Sequence, residues 1–535
     1  MEKQRYMFLL SALMISFVFC FWGRAEGAER ILFIPHDNRP ISMQQTAEVV
    51  EQTGCGLVMP PEEILSRGLE EPGDPEALWK WLEENAGSAR AAVIATDSLL
   101  YGGLIPSRKH EIARAVIEER AERFRKFHDR HPNLKLYLFG SLMRTPKSGL
   151  YAGSEEPEYY NDYGEDIFRY TAWKDKEEMG RLSRREREEM EEVRQRIPAN
   201  VLQDWMSRRE KNLSATKKLV DLTKQGVAEC FVVGRDDNAP LCQTHMENRE
   251  LKAYARKAGL PENRFKSMTG IDEFNLLLLA RAVNQMRHEI PFVHVMYNEG
   301  KGAATIPSYS DEHIGTSIRD SVAVAGGMMV SDPRRADFVL LVNTDPKGRT
   351  SESSSVTPGI SPMVNNGAER EGTAYFFRLV KDCLDKGYPV GIADIAFANG
   401  SDNALMGNLE RGGMLEKLQS YSGWNTATNS SGFALGTGIL APRMTNEGRK
   451  RLLTRRYLDD WAYQANVRAI AEKELQAEGH GEAYSRLDGF RAREEARVSE
   501  LLREFAEKHL PPFRGLQNLK VTFPWNRMFE CGLSF

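Results

Sequence analysis

The chain is poor in cysteine, with six in 535 residues: Cys20, Cys55, Cys230, Cys242, Cys383 and Cys531. Their wide and irregular spacing excludes a disulfide scaffold and a zinc ribbon. Basic charge is not in excess either: 72 Lys and Arg stand against 76 Asp and Glu, for a net charge of −4 and a pI near 6.3. A nucleic-acid partner usually declares itself by a basic face, and none is implied here. The Arg-rich run from Arg181 to Arg196 alternates in sign, as a solvated helix face does. There is no P-loop, no well-placed GxGxxG and no GxSxG, so nucleotide-dependent and serine-hydrolase chemistry have no footing. No close pair of histidines marks a zinc site. Beyond Gly23 no apolar run reaches membrane-spanning length.

The apolar run that is present lies at the N-terminus. Lys3 and Arg5 precede Met7 to Gly23, and small residues follow at Ala25 to Ala28. A basic start, an apolar stretch and a small-residue cleavage zone read as a signal peptide over residues 1–28. The chain is therefore expected to be secreted or held in the cell envelope, with no membrane span after cleavage; a retained anchor is the alternative. Phe17, Val18 and Phe19 are too large for a lipoprotein box before Cys20.

A length of 535 residues fits two to three domains. Six apolar runs end in acids or amides: ILFIPHDN (from Ile31), AAVIATDS (from Ala91), ECFVVGRDDN (from Glu229), RFKSMTGIDE (from Arg264), PFVHVMYNE (from Pro291) and PVGIADIAFANGSDN (from Pro389). Strands alternate with helical patterns, which implies βαβ units and parallel pairing. The helix opening at DPEALWKWLEENA has a capping Asp74 followed by Pro75. The expected fold class is α/β, with a parallel (β/α) barrel-like N-terminal domain over 30–298 that carries a helical insertion over 144–225. A second, smaller α/β domain over 299–442 and a helical C-terminal region over 443–535 with a final strand follow. Within the insertion, the tyrosine- and acid-rich stretch Ser148 to Tyr170 lacks clear periodicity and reads as a functional loop, a lid or substrate wall.

At the carboxyl ends of parallel strands, ligands bind. GRDDNAP puts Asp236 and Asp237 directly after a strand, where successive side chains point in different directions. TGIDEF places Asp272 as a helix cap and Glu273 in the first helical turn. Glycoside hydrolysis needs two carboxyl groups flanking the scissile bond, and Asp236, Asp237 and Glu273 are the candidate catalytic set. Asp37, Arg39 and Asp97 lie at the same sheet end and suit a hydroxyl-rich or anionic ligand. Asn399, Trp424 and Asn425, from ADIAFANGSDN and SGWNTATNSSG, offer amides and a flat ring for a sugar. The structural alternatives for these residues are helix capping, internal ion pairing and a buried Trp. No cofactor is required; clustered carboxylates can bind Mg²⁺, Mn²⁺ or Ca²⁺, but no ligand set marks a metal.

These segments together resemble the bacterial family catalogued as domain of unknown function 4127. The resemblance rests on HDNRP, PPEEILSRGLEEPGDPEAL, TDSLLYGGLIPSR, GRDDNAP with IDEFNLLLLARAVN, and GWNTATNSSG, and it spans nearly the whole exported part. Asn38 stands where a second acid would match. The resemblance implies an organised multi-domain architecture and carries no activity. The expected function is a hydrolase acting on carbohydrate, a glycosidase with paired carboxylates. The alternatives are a non-catalytic protein binding a sugar or cell-wall fragment, and a metal-dependent hydrolase of another ester or amide.

Overall fold

The computed structural model describes residues 29–147, 155–355, 363–513 and 515–535. The N-terminal segment read as a signal peptide lies outside them. Six parallel strands form the first sheet: β1 (Arg30–Ile34), β2 (Gly56–Val58), β3 (Ala91–Ala95), β4 (Lys135–Leu142), β5 (Cys230–Arg235) and β6 (Phe265–Thr269). Their order is β2-β1-β3-β4-β5-β6. The barrel expected from the strand–helix alternation is not found. The sheet is open, with β2 and β6 as its edges.

The second sheet comprises β7 (Phe292–Tyr297), β8 (Met328–Met329), β9 (Phe338–Asn343), β11 (Val390–Asp394) and β13 (Ser420–Ser422) in the order β13-β11-β9-β7-β8. Counted from its own first strand, that order repeats the 2-1-3-4-5 order of the first sheet. Both sheets are thus doubly wound, with a switch point where the order reverses between the first and third strands. The short β10 (Ser351–Glu352) and β12 (Phe397–Ala398) pair with each other at the rim of the second sheet.

Alternation along each strand fixes the layers. Ile31 and Phe33 face one core with Val93, Phe139 and Val232, while Leu32 and Ile34 face another with Ile94, Leu138 and Val233. The first of these cores also holds Val293, Phe338, Leu340 and Val342 from the second sheet. Between the sheets lie the helices Phe274–Met286, Ile314–Val324 and Ala427–Leu440. The sheets therefore share one helix layer and one apolar core, and each has a further core on its outer face.

The middle layer is thin because its helices approach on small residues. A Cβ on Gly432 would lie 2.5 Å from Glu273 Cγ, and one on Gly436 would lie 2.7 Å from Leu276 Cγ. Gly432→Ala should therefore destabilise the fold by about 1–3 kcal/mol through overpacking. Equilibrium urea unfolding of the variant checks this, and an unchanged midpoint would count against the close approach.

The insertion is three helices, Tyr160–Glu178, Arg184–Arg196 and Ala199–Lys224. Part of the stretch expected to be an irregular loop is thus helical from Tyr160, packed through buried Tyr160, Ile167 and Trp205; residues 148–154 lie outside the described set. Asp175 ties the insertion down by accepting from Cys242 N at 3.1 Å and pairing with His245 at 2.6 Å. The C-terminal region is mostly helical, including a π-helical stretch at Tyr457–Val467. It ends in an antiparallel pair, β14 (Lys520–Thr522) with β15 (Gly532–Ser534), rather than a single strand. Among the described residues no helix is long and apolar enough to cross a membrane. The five described cysteines are all free and buried.

Candidate active site

Five strands of the first sheet deliver polar side chains to one edge. β1 leads to His36, Asp37 and Arg39, β3 to Asp97, β4 to Ser141 and Arg144, β5 to Asp236 and Asp237, and β6 to Asp272 and Glu273. The β1/β3 switch point lies among them, where a doubly wound sheet leaves a crevice for ligand.

Asp37 is buried and is bound by Arg39, whose Nε lies 3.1 and 3.0 Å from its two oxygens. The same guanidinium donates from Nη2 to Asp272 Oδ1 at 2.8 Å. Burial raises Asp272 to about 6, against the pull of Arg39. Asp97 is buried, accepts from Ser141 Oγ at 2.7 Å, and is pushed by burial to about 7. Beside it the His36 Nδ1 stands 3.6 Å from Asp97 Oδ2. Burial lowers His36 to about 3, so its ring is neutral, and neither nitrogen has a hydrogen-bond partner.

Asp236 and Asp237 differ in setting although adjacent. Asp236 receives Arg108 Nη2 at 2.6 Å. Asp237 takes a left-handed backbone (φ 40°) and receives Arg144 Nη1 at 2.7 Å. That nitrogen is also 3.9 Å from Asp236 Oδ2, so one N–H group sits between the two carboxyl groups. Burial and the neighbouring Asp236 push Asp237 up to about 7, although Arg144 and Arg108 pull the other way. Its side chain keeps 31% exposure, the most open of these acids.

Glu273 is placed elsewhere. It is 1% exposed, and neither carboxyl oxygen has a hydrogen-bond partner. The side chain is wedged between Gly270, which has φ 98°, and Gly432 of the inter-sheet helix. Burial raises it well above the usual carboxylate range, while the backbone N–H groups of Glu273 and Ile271 oppose the shift. The expected partnership with Asp236 or Asp237 across a substrate therefore has no open path from Glu273. A protonated Glu273 in the fold and an ionised one in the unfolded chain make stability fall as pH rises from about 4.3, by up to about 1.4 kcal/mol per unit. Glu273→Gln should remove that slope, so that urea unfolding at pH 5 and pH 8 gives the variant the smaller difference. An equal slope in both proteins would show that Glu273 is ionised in the fold.

Three arginines and two glutamates that the motifs did not single out complete the cluster. Glu155 pairs with Arg108 at 3.0 Å, with Arg144 at 2.9 Å and with Arg527 at 2.8 Å. Burial alone would raise its carboxyl, but these guanidiniums hold it well below the ordinary range. Glu156 binds Arg144 Nε at 2.7 Å and is nevertheless raised, burial being the larger influence. Arg527 comes from the C-terminal segment, which also supplies Trp525, whose Nε1 donates to Asn38 Oδ1 at 2.8 Å. The Trp525 ring lies against the guanidiniums of both Arg39 and Arg527, at 5.4 and 5.1 Å.

The second sheet closes the other wall. Asn429 Nδ2 reaches Asp272 Oδ2 at 3.5 Å and Asn425 Oδ1 at 3.4 Å. Asn399, in a left-handed conformation (φ 59°), donates its backbone N–H to Asn425 O at 2.7 Å and its Nδ2 to Glu352 at 2.7 Å. Tyr309 donates to the other Glu352 oxygen at 2.7 Å, and its carbonyl accepts from Asn238 N at 3.2 Å. Tyr309 is 39% exposed at the rim. Trp424 is 2% exposed against Phe529, with ring centroids 5.7 Å apart, so its flat face is not open to a sugar.

This arrangement collects the five segments on which the family resemblance was read: HDNRP, TDSLLYGGLIPSR, GRDDNAP and IDEF line one wall, GWNTATN faces them, and Ser66 of the remaining segment accepts from Asn38 N at 3.1 Å. A family model described as Protein of unknown function (DUF4127) matches residues 31–534. The chain belongs to that family. The DUF4127 match covers both sheets and the C-terminal segment that supplies Trp525 and Arg527, so all the cleft residues described lie within it. No curated protein and no solved structure matches the chain.

Proposed function

We propose that the protein is an exported hydrolase of carbohydrate, a glycosidase in which Asp237 is the acid and the ion-paired Asp236 the base or nucleophile. The observation that carries this reading is the unequal pair: two neighbouring carboxyl groups on one arginine N–H, one of them raised to about 7 and open to the cleft. A glycosidase needs one proton donor and one carboxylate. The 3.9 and 2.7 Å contacts of Arg144 laid end to end set an upper limit on the oxygen separation, and that limit admits the retaining spacing of roughly 5 Å but no more than the lowest edge of the inverting range. Asp37, Arg39 and Asp97 are bound to one another or to protein neighbours, so they brace the floor; Asn425 and Asn399 supply the rim for hydroxyls. Glu273 takes no part in proton transfer, and the export assignment rests on the N-terminal segment alone.

A second reading has its own support. Asp37, Asp236, Asp237 and Asp272 are each neutralised by an arginine, as in a protein that binds sugar without cleaving it. A metal-dependent hydrolase would need several carboxylates converging on one point, and among the described residues no group of three metal-capable side chains does so. A panel of chromogenic glycosides, tested with the native chain and with Asp237→Asn, separates the first two. Turnover lost in the variant supports the glycosidase. Sugar binding without turnover in the native chain overturns it in favour of the binding protein.

A further inference from the structure

Among the described residues eleven arginines are buried, and ten of them donate to a carboxylate or a backbone carbonyl. Arg468 is the exception. It is 4% exposed, its Nη1 is sealed without a hydrogen-bond partner, and no carboxylate of the described residues lies within ion-pairing distance. An arginine does not shed its proton on burial, and this one is held above its ordinary range, Tyr484, Tyr463 and Glu352 outweighing the opposing effect of burial. A buried charge without a partner is costly, so the fold retains it for something it does not itself contain.

Its position relates it to the cleft. The Arg468 guanidinium faces the Phe529 ring at 5.6 Å, and Arg527 faces the same ring at 5.5 Å. Arg527 holds Glu155, which in turn holds Arg108 and Arg144 against Asp236 and Asp237. Arg468 and Arg527 thus share one aromatic ring, and Arg527 is the link to the acid cluster. On the side of the second sheet, Glu352 acts on the charge of Arg468 but spends its own oxygens on Tyr309 and Asn399 of the rim. The arginines around Asp236 and Asp237 are each paired with acids of the protein. Single nitrogens of Arg235 and Arg281 also lack a partner, but Arg468 is the one buried arginine among the described residues that gives no donor to a carboxylate or a carbonyl.

We propose that Arg468 is an anion subsite of this cleft, taking the carboxylate, sulfate or phosphate group of an acidic saccharide by charge-assisted hydrogen bonds. The inference rests on the carbohydrate reading for the sugar and on Arg468 alone for the anion, and the two parts separate in one experiment. Thermal unfolding of the full exported chain is followed with glucose, glucuronate, glucose 6-sulfate and glucose 6-phosphate, and with acetate and sulfate as anions without a sugar. The measurements are repeated in Arg468→Met.

The expected result is that at least one acidic sugar raises the midpoint more than glucose at equal concentration, and that Arg468→Met abolishes the excess while leaving any glucose effect intact. Which acidic sugar wins identifies the anionic group. Without ligand, Arg468→Met should unfold at a higher midpoint than the native chain, because a buried unpaired charge has gone; a lower midpoint would mean that the guanidinium already has its partner in the fold, and would overturn the subsite. Equal response to glucose and every acidic sugar would overturn the subsite and leave the carbohydrate reading standing. Stabilisation by acetate or sulfate through Arg468, with no sugar effect, would support the subsite and overturn the carbohydrate reading. No response to any anion would overturn the subsite.

Discussion

Asp237→Asn should lower turnover of a cleaved glycoside by about 10² to 10⁴-fold, the usual contribution of a positioned proton donor. The substitution keeps the shape of the side chain and an oxygen for Arg144 Nη1, so binding should change little and the loss should fall on kcat. The pH profile offers a second check. A general acid works while protonated, and Asp237 is held near pH 7 by burial and by Asp236. Activity of the native protein should therefore fall as pH rises through about 7. Asp236→Asn should act on the profile through its neighbour: with the adjacent negative charge removed, Asp237 loses one of the influences that raise it beside burial, and any residual activity should lose its alkaline limb at lower pH. An alkaline limb unmoved in that variant would mean that another group, with Asp97 at about 7 the nearest alternative, controls the profile.

The sequence carried the local part of this picture. Apolar runs ending in acids or amides located the strands, and Asp74 with Pro75 marked a helix start that the structure reproduces, Asp74 accepting from Glu76 N and Ala77 N. Sheet closure was not legible, because strand–helix alternation is the same whether or not the edge strands meet. β2 and β6 stay apart, and the chain builds a second open sheet of the same order instead. The acids at the strand tips were legible, yet their partners were not. Arg108 lies 128 residues from Asp236, Arg144 lies 93 from Asp237, and Arg527 lies 372 from Glu155. Nothing local in SRK, MRT or WNRMF marks an arginine that will be buried. Glu273 and Trp424 are buried away from solvent for a related reason. Whether a side chain at a strand end faces solvent depends on what packs over it, and here the helix with Gly432 and the ring of Phe529 close the space.

The largest effect on stability is expected at Arg144. Its guanidinium meets Glu155, Glu156 and Asp237, and its own side chain is only 6% exposed. Arg144→Met keeps most of the apolar stem and removes the charge, leaving three acids in a space where burial already raises two of them. Breaking such a buried pairing costs roughly 3–5 kcal/mol, well beyond the loss of one exposed ion pair. The cost should depend on pH in a defined direction. Below the point at which Glu156 and Asp237 bind protons, neutral carboxyls need no counter-charge, so the variant should be closest to the native chain near pH 5 and furthest from it near pH 8. Denaturant unfolding at the two values reads this directly. Arg144→Lys should recover only part of the loss, since a single ammonium cannot present Nε, Nη1 and Nη2 to three different carboxyl groups. A methionine variant as stable as the native chain at pH 8 would mean that water reaches these carboxylates freely, and the raised acid on which the proposed chemistry depends would lose its physical basis.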